Sequence, residues 1–168
     1  MADVTTTYMG LALKNPIIVS SSGLTQTLDG VARCAEAGAG AVVLKSIFEE
    51  EIQADTAAAG DTEALAEAWH QEAGEYLARY GREDAVSGYL KLIREAKRRV
   101  DIPVIASINC VTAEGWPLFA KRVEDAGADA LELNVYVPPS DPRREAQQNE
   151  KVYFDVAEKV TGLVSIPV

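Results

Sequence analysis

The chain has 168 residues, 48% hydrophobic and 25% charged, the balance of a folded domain with a real core, which excludes global disorder. With 16 Lys and Arg against 26 Asp and Glu, its formal charge of −10 argues against nucleic acid and anionic membrane as main partners and leaves a small-molecule substrate. Two distant cysteines, Cys34 and Cys110, offer no disulfide framework or paired zinc site, and a single histidine, His70, removes multi-histidine metal centres.

No apolar run approaches the ~18 residues of a membrane span, and the opening MADVTTTYMG has neither the basic nor the apolar region of a signal peptide. The expectation is a cytoplasmic protein. In chain order, β-rich runs fall at residues 16–20, 41–45, 103–109 and 130–134. Each is mostly apolar, as strands buried on both faces should be. Between and after them, helical spacing is kept by Leu28, Val31, Ala32 and Ala35, by Val86, Leu90, Ile93 and Val100, by Trp116, Phe119, Ala120 and Val123, and by Val156, Ala157, Val160 and Leu163. Such alternation predicts a parallel sheet with helices packed outside it.

Two internal echoes support this reading. Residues 36–45 (EAGAGAVVLK) resemble residues 125–134 (DAGADALELN), with Gly38 and Gly127 placed to end a helix in the left-handed conformation. Residues 100–104 (VDIPV) match 164–168 (VSIPV), where proline enters a strand at its start and costs no ladder donor. One stretch breaks the alternation: residues 49–83 are too long for a βα loop and read as a helical excursion, capped at Asp61 or Thr62 and carrying His70. It reads either as a lid with substrate contacts or as a decoration of the rim.

The residues that follow each predicted strand are polar: Ser20, Ser21 and Ser22 before Gly23, then Lys45 and Ser46, then Asn109 and Cys110, then Asn134. In a parallel α/β sheet these ends share one rim, where ligands bind. Hydroxyls, one cation and two amides suit a flat polar heterocycle better than a metal. An ammonium at the end of the apolar run 41–44 needs a partner, and Lys45 either meets the negative charge of a reduced flavin or snorkels to the rim. The acidic run at 49–51 and the pair Arg143 and Arg144 read most simply as solvated surface.

Taken together, Asn15-Pro16 leading to Ser20-Ser21-Ser22-Gly23, the strand end Leu44-Lys45-Ser46, residues 104–109 (VIASIN) and residues 127–134 (GADALELN) resemble the dihydroorotate dehydrogenase family, in its class 1 and dihydropyrimidine dehydrogenase-like branches. The motifs occur in order through essentially the whole chain. The resemblance implies a (βα)8 TIM-barrel, of which this chain covers about the first four βα units and the start of strand 5, as a single domain over residues 1–168. It implies bound FMN held by Ser20, Ser21, Ser22, Lys45, Ser46, Ser107 and Asn134, with Lys45 and Asn134 also reaching the substrate. The implied chemistry is hydride transfer between flavin and a small molecule of pyrimidine metabolism.

The sequence departs from the family pattern in three places. Residues 134–138 read NVYVP where the family has Asn-Leu-Ser-Cys-Pro, so Val137 stands in place of the catalytic Cys or Ser and cannot move a proton. No asparagine lies between Asn15 and Asn109, so the family's asparagine-bearing loop is replaced by the excursion around His70, the one remaining candidate base. The later strands and phosphate loops of the barrel lie beyond Val168, so the chain is expected to need the other barrel half, from a longer protein or a homo-oligomeric partner. Two other readings stay open: a flavin-binding or structural homologue without redox activity, because of Val137, and a Schiff-base barrel lyase that uses Lys45.

Overall fold

The computed structural model describes residues 2–48, 84–110, 115–136 and 143–168. The predicted excursion at 49–83, with His70, lies outside the described residues, as do Val137, Pro138 and Pro139.

The chain begins with an element that the hydrophobic pattern does not announce. Strands β1 (Thr6–Tyr8) and β2 (Leu11–Leu13) pair antiparallel, with Thr6 opposite Leu13 and Tyr8 opposite Leu11. Met9 and Gly10 between them take φ of 50° and 80°, the left-handed pair that a tight two-residue hairpin requires. The strands are short and the turn lacks the usual Asn-Gly or Asp-Gly, so the sequence gives little warning. The hairpin buries Leu13 against Ala41, Val43, Ile105 and Ala130, with Met9, Leu11 and Ile18 packed around them.

The main sheet consists of β3 (Ile18–Val19), β4 (Ala41–Val43), β5 (Ile47–Phe48), β6 (Val104–Asn109) and β7 (Ala130–Leu133), and every pairing in it is parallel. β7 occupies one edge of β6 from Ile105 to Ile108, so β4 and β5 lie in succession along the other edge. The predicted strands are present but shorter at their ends. The run at 16–20 pairs only at Ile18 and Val19, and the run at 41–45 leaves the ladder after Val43 and re-enters it at Ile47.

Among the described residues, four helices flank the sheet: α1 (Leu28–Glu36), α2 (Asp84–Arg99), α3 (Gly115–Asp125) and α4 (Ala146–Thr161). Thr27 caps α1 by accepting the Gly30 N–H at 3.2 Å, and Lys97, Arg98 and Arg99 place positive charge at the C-terminal end of α2, where the helix dipole favours it. The predicted helical faces are buried in α2 at Val86, Leu90 and Ile93, and in α3 at Trp116, Phe119, Ala120 and Val123. In α4 Val156 and Val160 are buried in the core and Val152 packs against it, whereas Ala157 is exposed and Leu163, beyond the helix end, is 47% exposed. Among the described residues no helix is long and apolar enough to cross a membrane.

Strand alternation divides the sheet's two faces cleanly. Val42, Leu44, Val104, Ala106, Ile108 and Leu131 pack with the helices in the larger core, while Ala41, Val43, Ile105 and Ala130 face the hairpin. Both glycine echoes are realised, with φ of 97° at Gly38 and 94° at Gly127. The proline echo has a structural counterpart too: Pro103 accepts the Val42 N–H at 3.1 Å, and Pro167 accepts the Leu131 N–H at 2.9 Å. Pro167 thus stands beside β7 as Pro103 stands beside β4.

Candidate functional site

The site is built around the interruption between β4 and β5. Along the β4 edge of β6, the odd-numbered residues offer their carbonyls: Pro103 accepts Val42 N–H at 3.1 Å and Ile105 accepts Leu44 N–H at 2.8 Å. The next donor in that register would be Ser46 N–H, which turns instead to Ser21 Oγ at 2.9 Å. The vacated ladder position at Ser107 is filled by a side chain of α2. The Tyr89 hydroxyl donates to the Ser107 carbonyl at 3.0 Å and accepts the Ser107 N–H at 2.8 Å, so both backbone groups of this fully buried residue are satisfied. Burial pushes the Tyr89 phenol well above its ordinary pKa of 10, against a smaller lowering by the Ser107 backbone bond and with a further rise from the Glu132 charge. The phenol therefore remains neutral, able to donate and accept at once.

The interruption lets the hydroxyls of Ser21 and Ser46, which follow β3 and β4, meet Ser107 of β6 and the carboxylate of Glu132 on β7. Ser21 Oγ lies 3.1 Å from Ser46 Oγ, which lies 2.7 Å from Ser107 Oγ, and Ser107 Oγ donates to Glu132 Oε1 at 2.7 Å. Below this chain a short 3-10 turn, Gly23–Thr25, is closed by a capping box in which Ser22 accepts the Leu24 N–H at 3.3 Å and Thr25 Oγ1 faces the Ser22 N–H at 3.4 Å. The fully buried Thr25 presents its carbonyl to the Lys45 N–H at 3.5 Å. The serine-rich loop therefore fixes the backbone of Lys45 as well as that of Ser46.

Two cavities open beside this chain. A cavity of about 550 Å³ is walled by Ile18, Val43, Ile105, Leu131 and Leu133 of the sheet, by the hairpin at Tyr8 and Met9 and by Ala157 of α4, with Ser20, Glu132 and Thr161 among its polar groups. A smaller one of about 260 Å³ lies toward α2, between Lys45, Ser46 and Gln26 on one side and Gly88, Tyr89 and Leu92 on the other. The Lys45 ammonium sits 5.7 Å from the centre of the Phe48 ring, a cation–π contact that holds a half-buried charge against an aromatic face.

Of the residues singled out from the sequence, Ser21, Ser46 and Ser107 are brought into one hydrogen-bonded chain, Ser20 lines the larger cavity, and Ser22 is a capping residue. Lys45 stands one residue from that chain but lines the smaller cavity instead of the larger. Asn134 is exposed at the rim, where its carbonyl accepts Asn109 Nδ2 at 2.9 Å and its N–H donates to Ile108 at 2.9 Å. Cys110 is buried, whereas Arg143 and Arg144 are exposed, the arginine pair as read from the sequence. Sequence reasoning passed over Tyr89 and Glu132. Their signal was a phenol within the apolar stripe of α2 and a lone carboxylate within the apolar run 130–133.

The donor set fits a flat heteroaromatic cofactor such as FMN in kind: the larger cavity has the size of a cofactor site, apolar walls for a ring and few polar groups at its edge. Lys45 borders the smaller cavity, and the amides of Asn109 and Asn134 stand at the strand rim.

A sequence model of the dihydroorotate dehydrogenase family matches residues 3–168. The catalytic subunit of dihydroorotate dehydrogenase B (NAD(+)) from Thermoplasma volcanium is 28% identical over 173 residues, covering 100% of this chain and 53% of that protein. The same subunit from Methanocaldococcus jannaschii is 30% identical, covering 97% of this chain and 52% of the relative. The NAD-dependent dihydropyrimidine dehydrogenase subunit PreA of Escherichia coli K12 is 26% identical, over 81% of this chain and 33% of its own length. The chain spans about half the length of the dihydroorotate dehydrogenase relatives it matches.

Proposed function

Because the chain belongs to the dihydroorotate dehydrogenase family, we propose that it forms about the first half of a TIM barrel that binds FMN and exchanges a hydride with a small pyrimidine-like substrate. The observation that carries this reading is the convergence of Ser21 and Ser46, which follow β3 and β4, on Ser107 in the C-terminal half of β6, with Lys45 and Ser20 lining the two adjacent cavities. Ligands of parallel α/β sheets bind at that end. The barrel is completed by further chain or by a second copy, and the parallel edge of β7 beside Pro167 is where the next strand would continue.

In this reading FMN supplies the hydride acceptor or donor. Ser20 binds a polar edge of the ring, while Val43, Ile105 and Leu133 give it an apolar bed that excludes water. Lys45, one residue from the hydroxyl chain, would supply a fixed positive charge that favours the reduced flavin by preorganised electrostatics. Asn134 orients the substrate through its side-chain amide. The hydroxyl chain holds Ser46 and Ser107 in place, with the Ser107 hydrogen committed to Glu132.

A visible spectrum of the purified protein, recorded behind size exclusion before and after adding FMN, tests the proposal. A flavin spectrum coeluting with protein supports it, and a protein that takes up no FMN, either alone or as part of the complete barrel, overturns it. Val137 favours a second reading, a flavin-binding homologue that has lost proton transfer at that position. Anaerobic bleaching by dihydroorotate or a dihydropyrimidine supports the redox enzyme, whereas bound flavin inert to the whole panel supports the second reading.

A further inference from the structure

We propose that Tyr89 is the positioning residue for Lys45, an assignment that rests on the proposed flavin site for its functional meaning but on the strand break alone for its geometry. β6 carries an unbroken row of backbone groups, and its neighbour abandons the row after Leu44. A buried N–H and C=O left facing nothing at Ser107 would pull Ser46 back into the ladder, because that pairing is the only backbone alternative in register. The Tyr89 hydroxyl removes this pull by occupying both Ser107 groups, at 2.8 and 3.0 Å. Ser46 is then able to give its N–H to Ser21, and the turn at Lys45 persists between Thr25 below and α2 beside it.

Tyr89 and Lys45 also border the same smaller cavity. Tyr89 lines the smaller cavity with Gly88 and Leu92, on consecutive turns of α2 facing Lys45, and Gly88 leaves open space there. Tyr89 itself is 8% exposed and tilts against Phe119 at a ring separation of 6.3 Å, so its position is set by the core and not by the ligand site. The phenol thus ties β6, at the level where the neighbouring chain turns at Lys45 and Ser46, to the helix layer. No other side chain among the described residues hydrogen-bonds both backbone groups of one strand residue.

The test compares wild type, Tyr89→Phe and Val160→Ala, the last a core truncation in α4 remote from Lys45. Each protein is labelled with a succinimidyl ester, and acylation of Lys45 relative to the exposed Lys14 is read by mass spectrometry. In folded Tyr89→Phe the loss of the hydroxyl should change Lys45 labelling by about tenfold, the consequence of two unsatisfied backbone groups. Val160→Ala should leave the ratio at the wild-type value. An unchanged ratio in folded Tyr89→Phe, or an equal change in Val160→Ala, overturns the proposal. Should Tyr89→Phe not fold, amide exchange at Ser107 in the wild type decides: protection like that of Ile105 supports the phenol as the ladder partner, and rapid exchange overturns it.

FMN titration of the same samples separates this from the flavin reading. Absence of FMN uptake by every sample would sink the proposed function and leave the labelling result standing. Where wild type binds FMN, Tyr89→Phe should lose about tenfold in affinity and add nothing further to a Lys45→Ala background, the non-additivity of groups acting as one unit.

Discussion

Asp129 and Val104 hold each other twice: the Asp129 carboxylate accepts the Val104 N–H at 2.7 Å, and the Asp129 N–H donates to the Val104 carbonyl at 2.9 Å. Lys97 of α2 reaches both carboxylate oxygens at 2.7 Å, so one side chain joins the start of β6, the start of β7 and the end of a helix. The first echo solves the same problem with different atoms. Gly40 donates its N–H to the Ile17 carbonyl at 2.8 Å, and the Ile17 N–H is taken by Asn15 Oδ1 at 3.0 Å. Asn15 also donates to the Gly38 carbonyl at 2.8 Å. The side-chain acceptor has moved from the glycine turn to the preceding loop, which explains why the repeat carries Gly at one position and Asp at the other.

Asp129→Ala should therefore destabilise the protein by about 2 kcal/mol, because a buried strand N–H loses a charged acceptor. Lys97→Met, which breaks a partly exposed ion pair while leaving the Val104 bond, should cost no more than about 1 kcal/mol. Urea unfolding checks both, with a lowered midpoint and an unchanged slope expected for each. Equal losses in the two variants would place the energy in the ion pair instead of the backbone bond.

Glycine substitutions should act in opposite directions at two positions. A Cβ at Gly40 would run into the Asn15 carbonyl, so Gly40→Ala should cost about 2 kcal/mol or more through overpacking against backbone. Gly88 lies within α2 with nothing inside 4 Å of its would-be Cβ, so Gly88→Ala should stabilise by about 0.5–1 kcal/mol through helix propensity. Thermal melts of the two variants should bracket the wild type.

Acid sensitivity should centre on Glu124. Lys121, at 2.6 Å, and the Ser165 hydroxyl and N–H, at 2.5 and 2.6 Å, hold its carboxyl down from an ordinary 4.5 to about 2. A depressed folded pKa stabilises the fold above the unfolded value and ceases to do so as pH falls through the folded one. The contribution should be complete above about pH 4.5 and disappear toward pH 2. Glu124→Gln should melt below wild type at neutral pH, and the two curves should converge across that window. A constant gap between them would refute the assignment.

Lys45→Ala should weaken FMN binding by about 1.4 kcal/mol, a factor of ten, and lower the flavin reduction potential, since the reduced anion loses its nearest fixed cation. Asn134→Ala should raise the substrate's KM with little change in flavin retention. Equilibrium dialysis, potentiometry and steady-state kinetics separate these effects. Full retention and an unaltered potential in Lys45→Ala would remove the lysine from the site.

Much of the architecture was legible because its causes are local. Apolar runs bounded by proline or glycine mark the buried parallel strands, and the spacing of Trp116, Phe119, Ala120 and Val123 marks one face of α3, all four of which are buried. Gly38 and Gly127 were readable because a left-handed turn between helix and strand admits few residues. The hairpin at Met9 and Gly10 was not, since its strands are only three residues each and its hydrophobic partner, Ala41 to Ala130, is far along the chain. At the candidate site the serines and Lys45 were picked out and assigned to one rim, whereas the hydrogen bonds that join Ser21, Ser46 and Ser107 were not legible. Nothing in the local run 41–45 distinguishes a strand that continues from one that leaves the ladder at Leu44.

The sequence by itself determined the alternation of strand and helix, the faces that are buried and the polar character of the strand ends, because each depends on periodicity and on single-residue backbone preferences. Only the tertiary structure decided that Ser21, Ser46, Ser107 and Glu132 form one chain, that Lys45 turns toward α2, and that a phenol stands in for a missing strand neighbour. Those relations join residues 18 to 61 positions apart. Their geometry is fixed by how helix and sheet pack, which no local preference specifies.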